Sequence, residues 1–281
     1  MYKFFSNFWE YSVEIIPYFL LAVFVTSVLK VYLGPNHLKR ALASPKSAPL
    51  LTGLLAGLLP VCSCSVVPLA YFINNLSRNY APVLSFLMIG PVISPVSIFL
   101  TLGLLGIKFT LFRLLFTFIL SFVIAYLSLG LFKKNSPSLE VEYAPREKGS
   151  FKMIFIEFKG EALSIGKYLL IGLIIASLMV TFLNPESLKG LAGHPWAYFL
   201  IAIISIPIYV CSGEEVPIAK ALMEVGLTSG QAMVFVLAGS GICLPTVTAV
   251  LKFLPLKLVI YYVTSWFILA LLGGLLFDYI F

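Results

Sequence analysis

The sequence predicts an all-α polytopic membrane protein built from two homologous four-segment halves. Three observations lead there: an apolar composition, eight apolar stretches of bilayer-crossing length, and a match between the two halves at an offset near 150 residues. Of the 281 residues, 60% are hydrophobic and only 11% charged, with a mean hydropathy of +1.03. Soluble domains carry about a quarter charged residues, so this balance excludes a water-soluble fold.

The eight stretches are Val13–Leu33, Ala48–Ile73, Ala81–Leu105, Ile107–Phe132, Ala162–Leu183, Trp196–Met223, Gln231–Leu251 and Leu256–Phe281. Each is near the length that crosses a hydrocarbon core of roughly 30 Å. Residues 1–132 form an N-terminal repeat and residues 161–281 a C-terminal repeat, each with four segments. The intervening residues 133–160 contain Pro137, Pro145, Gly149 and charges of both signs, the composition of a flexible linker rather than a folded module. The first ten residues lack a short apolar core followed by a small-residue cleavage site, so no segment is expected to be removed. The net charge of +7 is spread singly or in small groups at segment ends, as topology signals are, and nucleic acid is not an expected partner.

The self-match rests on rare residues. Tyr18-Phe19-Leu20-Leu21 corresponds to Tyr168-Leu169-Leu170-Ile171, Pro35 to Pro185, and Leu38-Lys39 to Leu188-Lys189. Pro60-x-Cys62-Ser63 with Val67-Pro68-Leu69-Ala70 corresponds to Tyr209-x-Cys211-Ser212 with Val216-Pro217-Ile218-Ala219. Gly90 pairs with Gly239 and Pro95 with Pro245. Repeat construction of this kind is common in secondary transporters, where the solute site lies between the halves.

Segments two and three of each half are predicted to be broken or re-entrant. Pro60 and Pro68 bracket one stretch, Gly90-Pro91 and Ser94-Pro95 interrupt the next, and the second half answers with Pro207 to Pro217 and Gly239 to Pro245. Proline removes a backbone donor and clashes with the preceding turn. Irregular backbone at membrane depth survives only inside protein or beside a watery cavity, so the four breaks are expected to converge on a solute site.

Charge counting sets the parity. If one of the two broken segments in each half turns back instead of crossing, 14 of the 19 Lys and Arg collect on one side; if all eight cross, there is no asymmetry. The positive-inside rule then predicts an inverted repeat with the linker cytoplasmic and both termini outside.

Candidate solute contacts are Cys62, Ser63, Cys64, Ser65, Pro91, Ser94, Cys211, Ser212, Glu214, Glu215, Ser240 and Cys243. All four cysteines of the chain lie in the breaks, and thiolates there suit transient ligation of soft cations or trivalent metalloids by Cys62, Cys64 and Cys211. Their spacing falls short of a zinc signature, and no cofactor is expected. Glu214 and Glu215 are carboxylates in an apolar region, where charge is costly and serves proton coupling or cation attraction; the bland alternative is pairing with Lys220 or capping of the half-helix near Pro217. Arg113 lies several residues into its segment and is expected to snorkel to the interface, without a site role.

The stretch Pro60-Val61-Cys62-Ser63-Cys64-Ser65-Val66-Val67-Pro68-Leu69-Ala70, the Gly90-Pro91-x-x-Ser94-Pro95 turn and Cys211-Ser212-Gly213-Glu214-Glu215-Val216-Pro217 together resemble the ArsP-type permease family, also called the YraQ-like permeases. The resemblance covers nearly the whole chain. It implies a bacterial or archaeal inner-membrane permease, with relatives that export trivalent organoarsenicals and others proposed to move divalent metals, and it carries Cys62, Cys64 and Cys211 over as thiol ligands.

The expected function is therefore efflux of a soft metalloid or metal species by a cell-membrane permease. Uptake of a small sulfur-containing anion is the alternative, with half-helix N-termini at Pro68 and Pro217 to receive it. A membrane enzyme is disfavoured: the single aspartate, Asp278, rules out a paired-aspartate protease, and no His-Glu-x-x-His occurs. A thiol oxidoreductase built on Cys62 and Cys64 lacks the usual spacing. No nucleotide-binding Gly-x-x-x-x-Gly-Lys is present, so energy has to come from an ion gradient or a partner subunit, and a homo-oligomer is equally compatible. The expected partners are the lipid bilayer and a small solute or ion.

Overall fold

A computed structural model describes residues 9, 20, 24, 47–59, 65–132, 155, 158–160, 163, 196–206, 215–224 and 226–281. The segments expected at Val13–Leu33 and Ala162–Leu183, and the linker, lie almost wholly outside them. The described residues form helices α1 (Ala48–Leu58), α2 (Val66–Leu76), α3 (Ala81–Ile89), α4 (Pro95–Leu131), α5 (Trp196–Ser205), α6 (Glu215–Glu224), α7 (Ser229–Gly241), α8 (Leu244–Val250) and α9 (Leu256–Ile280), and no strand is found among them.

Their surfaces are inverted relative to a soluble protein. Along α4, Ile107, Leu111, Leu115, Ile119, Val123, Leu127 and Leu131 are exposed at four-residue intervals, while Thr110, Arg113, Thr117, Ser121 and Ser128 are buried. That arrangement is stable where the surrounding solvent is lipid. Three stretches among the described residues are long and apolar enough to cross a membrane: Ser97–Leu131, Ser229–Val250 and Leu256–Ile280. Helices α1 and α5, with 11 and 10 residues, are about 15–17 Å long, half a hydrocarbon core.

The helices stop and restart around prolines and glycines. α1 ends at Leu58 and α2 begins at Val66, on either side of Pro60; α5 ends at Ser205 and α6 begins at Glu215, on either side of Pro207. After α3, residues 90–93 turn before Ser94 (ψ 147) and Pro95 open α4. After α7, Ile242 and Cys243 are extended before Pro245 opens α8.

α4 is two helices joined end to end. Its 37 residues would measure about 55 Å if straight, well beyond the hydrocarbon core. Gly106, with φ 85° and ψ 173°, divides it into Pro95–Leu105 and Ile107–Leu131, a conformation open essentially to glycine alone.

Close approaches fix the interior. α1 and α3 are cinched by hydroxyls: Thr52 Oγ1 donates to Pro82 O (2.9 Å) and Ser85 Oγ to Pro49 O (2.8 Å). A Cβ on Gly53 would meet Ser85 Oγ at 2.6 Å. α7 is buried along nearly its whole length and packs against α5, α6 and α9. Gly230 lies on Gly274, and Gly241 on the Trp266 ring. Around the α7 break, Tyr262 OH donates to Gly241 O (2.6 Å) and Trp266 Nε1 to Leu237 O (2.8 Å), so α9 supplies donors to carbonyls at the end of α7. At its other end, Asp278 accepts from Gly230 N, Thr228 Oγ1 and Tyr198 OH, a carboxylate at a helix N-terminus.

Among the described residues, contacts join the N-terminal helices to the C-terminal ones. α4 packs on α6, α7 and α9, and α8 packs on α2.

Candidate functional site

The α4–α6 contact holds a buried ion pair. Arg113 Nη2 donates to Glu215 Oε1 at 2.7 Å, with the side chains 2% and 0% exposed. Ser97 Oγ donates to the same oxygen at 2.9 Å, and Arg113 Nη1 donates to Thr101 Oγ1 at 2.8 Å. Thr101 Oγ1 in turn donates to Ser97 O (2.6 Å), and Ser97 N donates to Ser94 Oγ (3.3 Å). These five residues form one connected network, so each bond is reinforced by the others in a low-dielectric interior.

Local structure explains how distant residues meet. Glu215 is the first residue of α6, while Ser94 caps α4 and Ser97 lies in its first turn. Two half-helix N-termini, each carrying partial positive charge, therefore flank the carboxylate. Arg113 lies 12 residues beyond Thr101, about 18 Å along a straight helix and out of reach of its side chain. The kink at Gly106 turns the second part of α4 out of line with the first and brings Arg113 within reach of Thr101.

The expectation for Arg113 is corrected here. It does not snorkel: its helical position is opposite the exposed face defined by Ile107, Leu111 and Leu115. Lys108 is the exposed cation on this helix, with Nζ 5.3 Å from the centroid of the Phe281 ring. Glu215 is fully buried, and the cation it pairs with in this network is Arg113. The signal that could have found Arg113 is the spacing of Thr110, Arg113, Thr117 and Ser121, a polar stripe on one helical face that lies opposite the leucines.

Of the other residues singled out, Ser94 joins the network and Ser65 heads α2. Pro91 is buried in the turn before α4. Ser240 Oγ donates to Val236 O (2.6 Å) within α7. Cys243 is buried at the start of α8. Cys62, Ser63, Cys64, Cys211, Ser212 and Glu214 lie outside the described residues.

An ion pair of this kind is expensive to bury and is weak evidence for stability; inside a membrane protein, ionisable groups that face the bundle interior mark solute, ion or proton paths. Comparison with known proteins agrees. The chain is similar to the UPF0718 protein YcgR of Bacillus subtilis (strain 168), at 22% identity over 96% of this chain and 95% of that one. It is also similar to a putative two-component membrane permease complex subunit of Streptococcus mutans, at 24% identity over 75% and 74%. A UPF0718 protein of Methanocaldococcus jannaschii matches at 24% identity over 79% and 78%. No solved structure matches. A family model described as a predicted permease matches residues 1–279, and the chain thus belongs to the ArsP_1 permease family.

Proposed function

We propose that this chain is a multi-pass inner-membrane permease that moves a small anion together with a proton, Arg113 receiving the anion and Glu215 the proton. The observation that carries this reading is the buried Arg113–Glu215 pair at the first turns of two half-helices. With Glu215 ionised, its carboxylate is the anion held by Arg113. Protonation of Glu215 frees Arg113 for the incoming anion, whose charge it compensates fully for a monoanion and in part for a dianion such as sulfate or thiosulfate. The N-terminal ends of α4 and α6 favour the anion further.

In this reading residues 1–132 and 161–281 are an inverted repeat around the pair, with residues 133–160 cytoplasmic. The succession of short helices α1, α2 and α3 before α4, and of α5, α6, α7 and α8 before α9, supports it. The Streptococcus relative is named as a complex subunit, and a partner subunit is part of the proposal.

The second reading is efflux of a soft metalloid or metal species. The Pro60–Ala70 motif favours it, with Cys62, Cys64 and Cys211 as transient ligands among Ser63, Ser65, Ser212, Glu214, Pro91, Ser94, Ser240 and Cys243.

Full-length protein in liposomes tests both. An acidic outer bath should drive accumulation of sulfate or thiosulfate, and Glu215→Gln should abolish gradient-driven accumulation while leaving anion counterflow. Wild-type accumulation in both Glu215→Gln and Arg113→Gln would overturn the anion reading. Flux of a trivalent arsenical or zinc, lost in Cys62→Ser, Cys64→Ser and Cys211→Ser, with no anion movement, would establish the second.

A further inference from the structure

Beyond the ion pair, α4 carries three buried hydrogen-bonding atoms that meet no partner: Arg113 Nε, Thr117 Oγ1 and Ser121 Oγ. They recur every four residues, so they line one face of the helix over about 12 Å. Arg113 is 2% exposed and the other two are fully enclosed. Leaving a buried donor unmade is costly, most of all on a charged guanidinium.

The rest of the helix shows that this is not a general habit of its hydroxyls. Thr101 donates to Ser97 O, Thr110 to Gly106 O and Ser128 to Ala125 O, at 2.6–2.9 Å. Those three satisfy themselves on their own backbone; Thr117 and Ser121 are aimed elsewhere. Arg113 is likewise divided, with Nη1 on Thr101 and Nη2 on Glu215 while Nε meets no partner. Past Ser121, the small residues Ala125 and Ser128 continue the buried face.

We propose that Arg113 Nε, Thr117 Oγ1 and Ser121 Oγ form a second station of the anion path, where a small oxyanion's oxygens are passed along α4 towards its Leu131 end. This rests on the anion reading above. An Nε–H and two hydroxyls offer donors to a compact ligand rich in acceptors, and none carries a negative charge that would repel it. The hydroxyls reorient to donate in turn as the anion moves.

Two measurements on the full-length protein in liposomes test the station. In the first, Thr117→Val and Ser121→Ala are assayed for proton-driven thiosulfate uptake. Each should raise KM about tenfold, the worth of one hydrogen bond to a charged acceptor, with thermal stability unchanged or higher, because an unmade buried hydroxyl is removed. A residue that only fills space would show the rise in stability with an unchanged KM, and that result overturns the station.

In the second, Thr117→Cys and Ser121→Cys are exposed to a small negatively charged methanethiosulfonate, and modification at each site is read by peptide mass spectrometry. Both should react faster than Ala238→Cys, placed in the fully buried α7 core, and thiosulfate should slow them. Reaction no faster than at Ala238→Cys also overturns the station. If the wild type moves neither sulfate nor thiosulfate, the anion reading itself fails, while labelling still decides whether α4 lines a path. If transport depends on Arg113 and Glu215 but not on Thr117 or Ser121, the reading stands and the station falls.

Discussion

Two of the contacts that join the halves, α4 on α6 and α8 on α2, differ in their chemistry. The first holds a polar network, with Arg113, Glu215, Ser97 and Thr101 bonded inside the protein. Beside the second, the rings of Tyr71 and of Phe253 in the turn after α8 meet edge to face at 5.4 Å, and Asn74 Nδ2 donates to Phe253 O at 3.5 Å. At the offset near 150 that relates the halves, Val66 stands where Glu215 does, and Val247 where Ser97 does. Such helices are therefore joined there without a carboxylate at the position that corresponds to Glu215. In the proposed reading the function lies on the α4–α6 side, which alone of the two carries a buried ion pair among the described residues.

The largest expected effect comes from removing one charge of the pair. Arg113→Met leaves Glu215 buried without its cation and should cost about 3–5 kcal/mol, read as a large fall in melting temperature in detergent, with transport abolished. Arg113→Met combined with Glu215→Leu converts this contact to the chemistry of the other one. Stability should return to the wild-type value or exceed it, while proton-driven transport stays lost. Recovery of transport in that double variant would erase the functional distinction between the contacts.

The converse substitution comes next. Val66 is fully buried, and no Arg113 equivalent faces it, because the positions at that offset are Tyr262 and Val263. Val66→Glu should cost about 3 kcal/mol or more as an uncompensated buried carboxylate, visible as a depressed melting temperature. A neutral outcome would mean that the α2–α8 contact reaches water and is as polar as its counterpart.

Gly106→Ala is smaller and sharper. No atom lies within 4 Å of where its Cβ would be, so the penalty is backbone strain alone, about 1–3 kcal/mol. The strain should relax by straightening α4 and drawing Arg113 from Thr101. Uptake should fall more than the loss of stability alone would cause, and deleting Thr101's hydroxyl in the same background should add little, since the bond is already broken.

Much of this arrangement was legible in the sequence and one essential part was not. Gly90, Pro91 and Pro95 announce the end of α3 and the start of α4, because their backbone rules are local. Glu215 announced itself by being an acid in an apolar stretch. Arg113 did not, for two physical reasons. Its partner lies 102 residues away, and a long cationic side chain some way into a segment has an ordinary reading, snorkelling, that only the direction of its helix face contradicts. Gly106 was legible as the boundary between Leu105 and Ile107, but not as the kink that brings Arg113 to Thr101. The sequence drew attention to thiols, of which Cys243 lies among the described residues, buried at the start of α8.

The smallest predicted effect tests the quiet side of the comparison. Asn74→Leu removes the long bond to Phe253 O and keeps the side chain's volume close to that of the original. A neutral hydrogen bond is worth about 1 kcal/mol, less when stretched, and leucine's burial against Tyr71 and Phe253 offsets part of that loss. Melting temperature should shift by no more than a few degrees in a 281-residue chain, and KM for the anion should be unchanged. A KM change at Asn74 would place a polar role on the aromatic contact too, and the solute path would then run between both crossings rather than along α4.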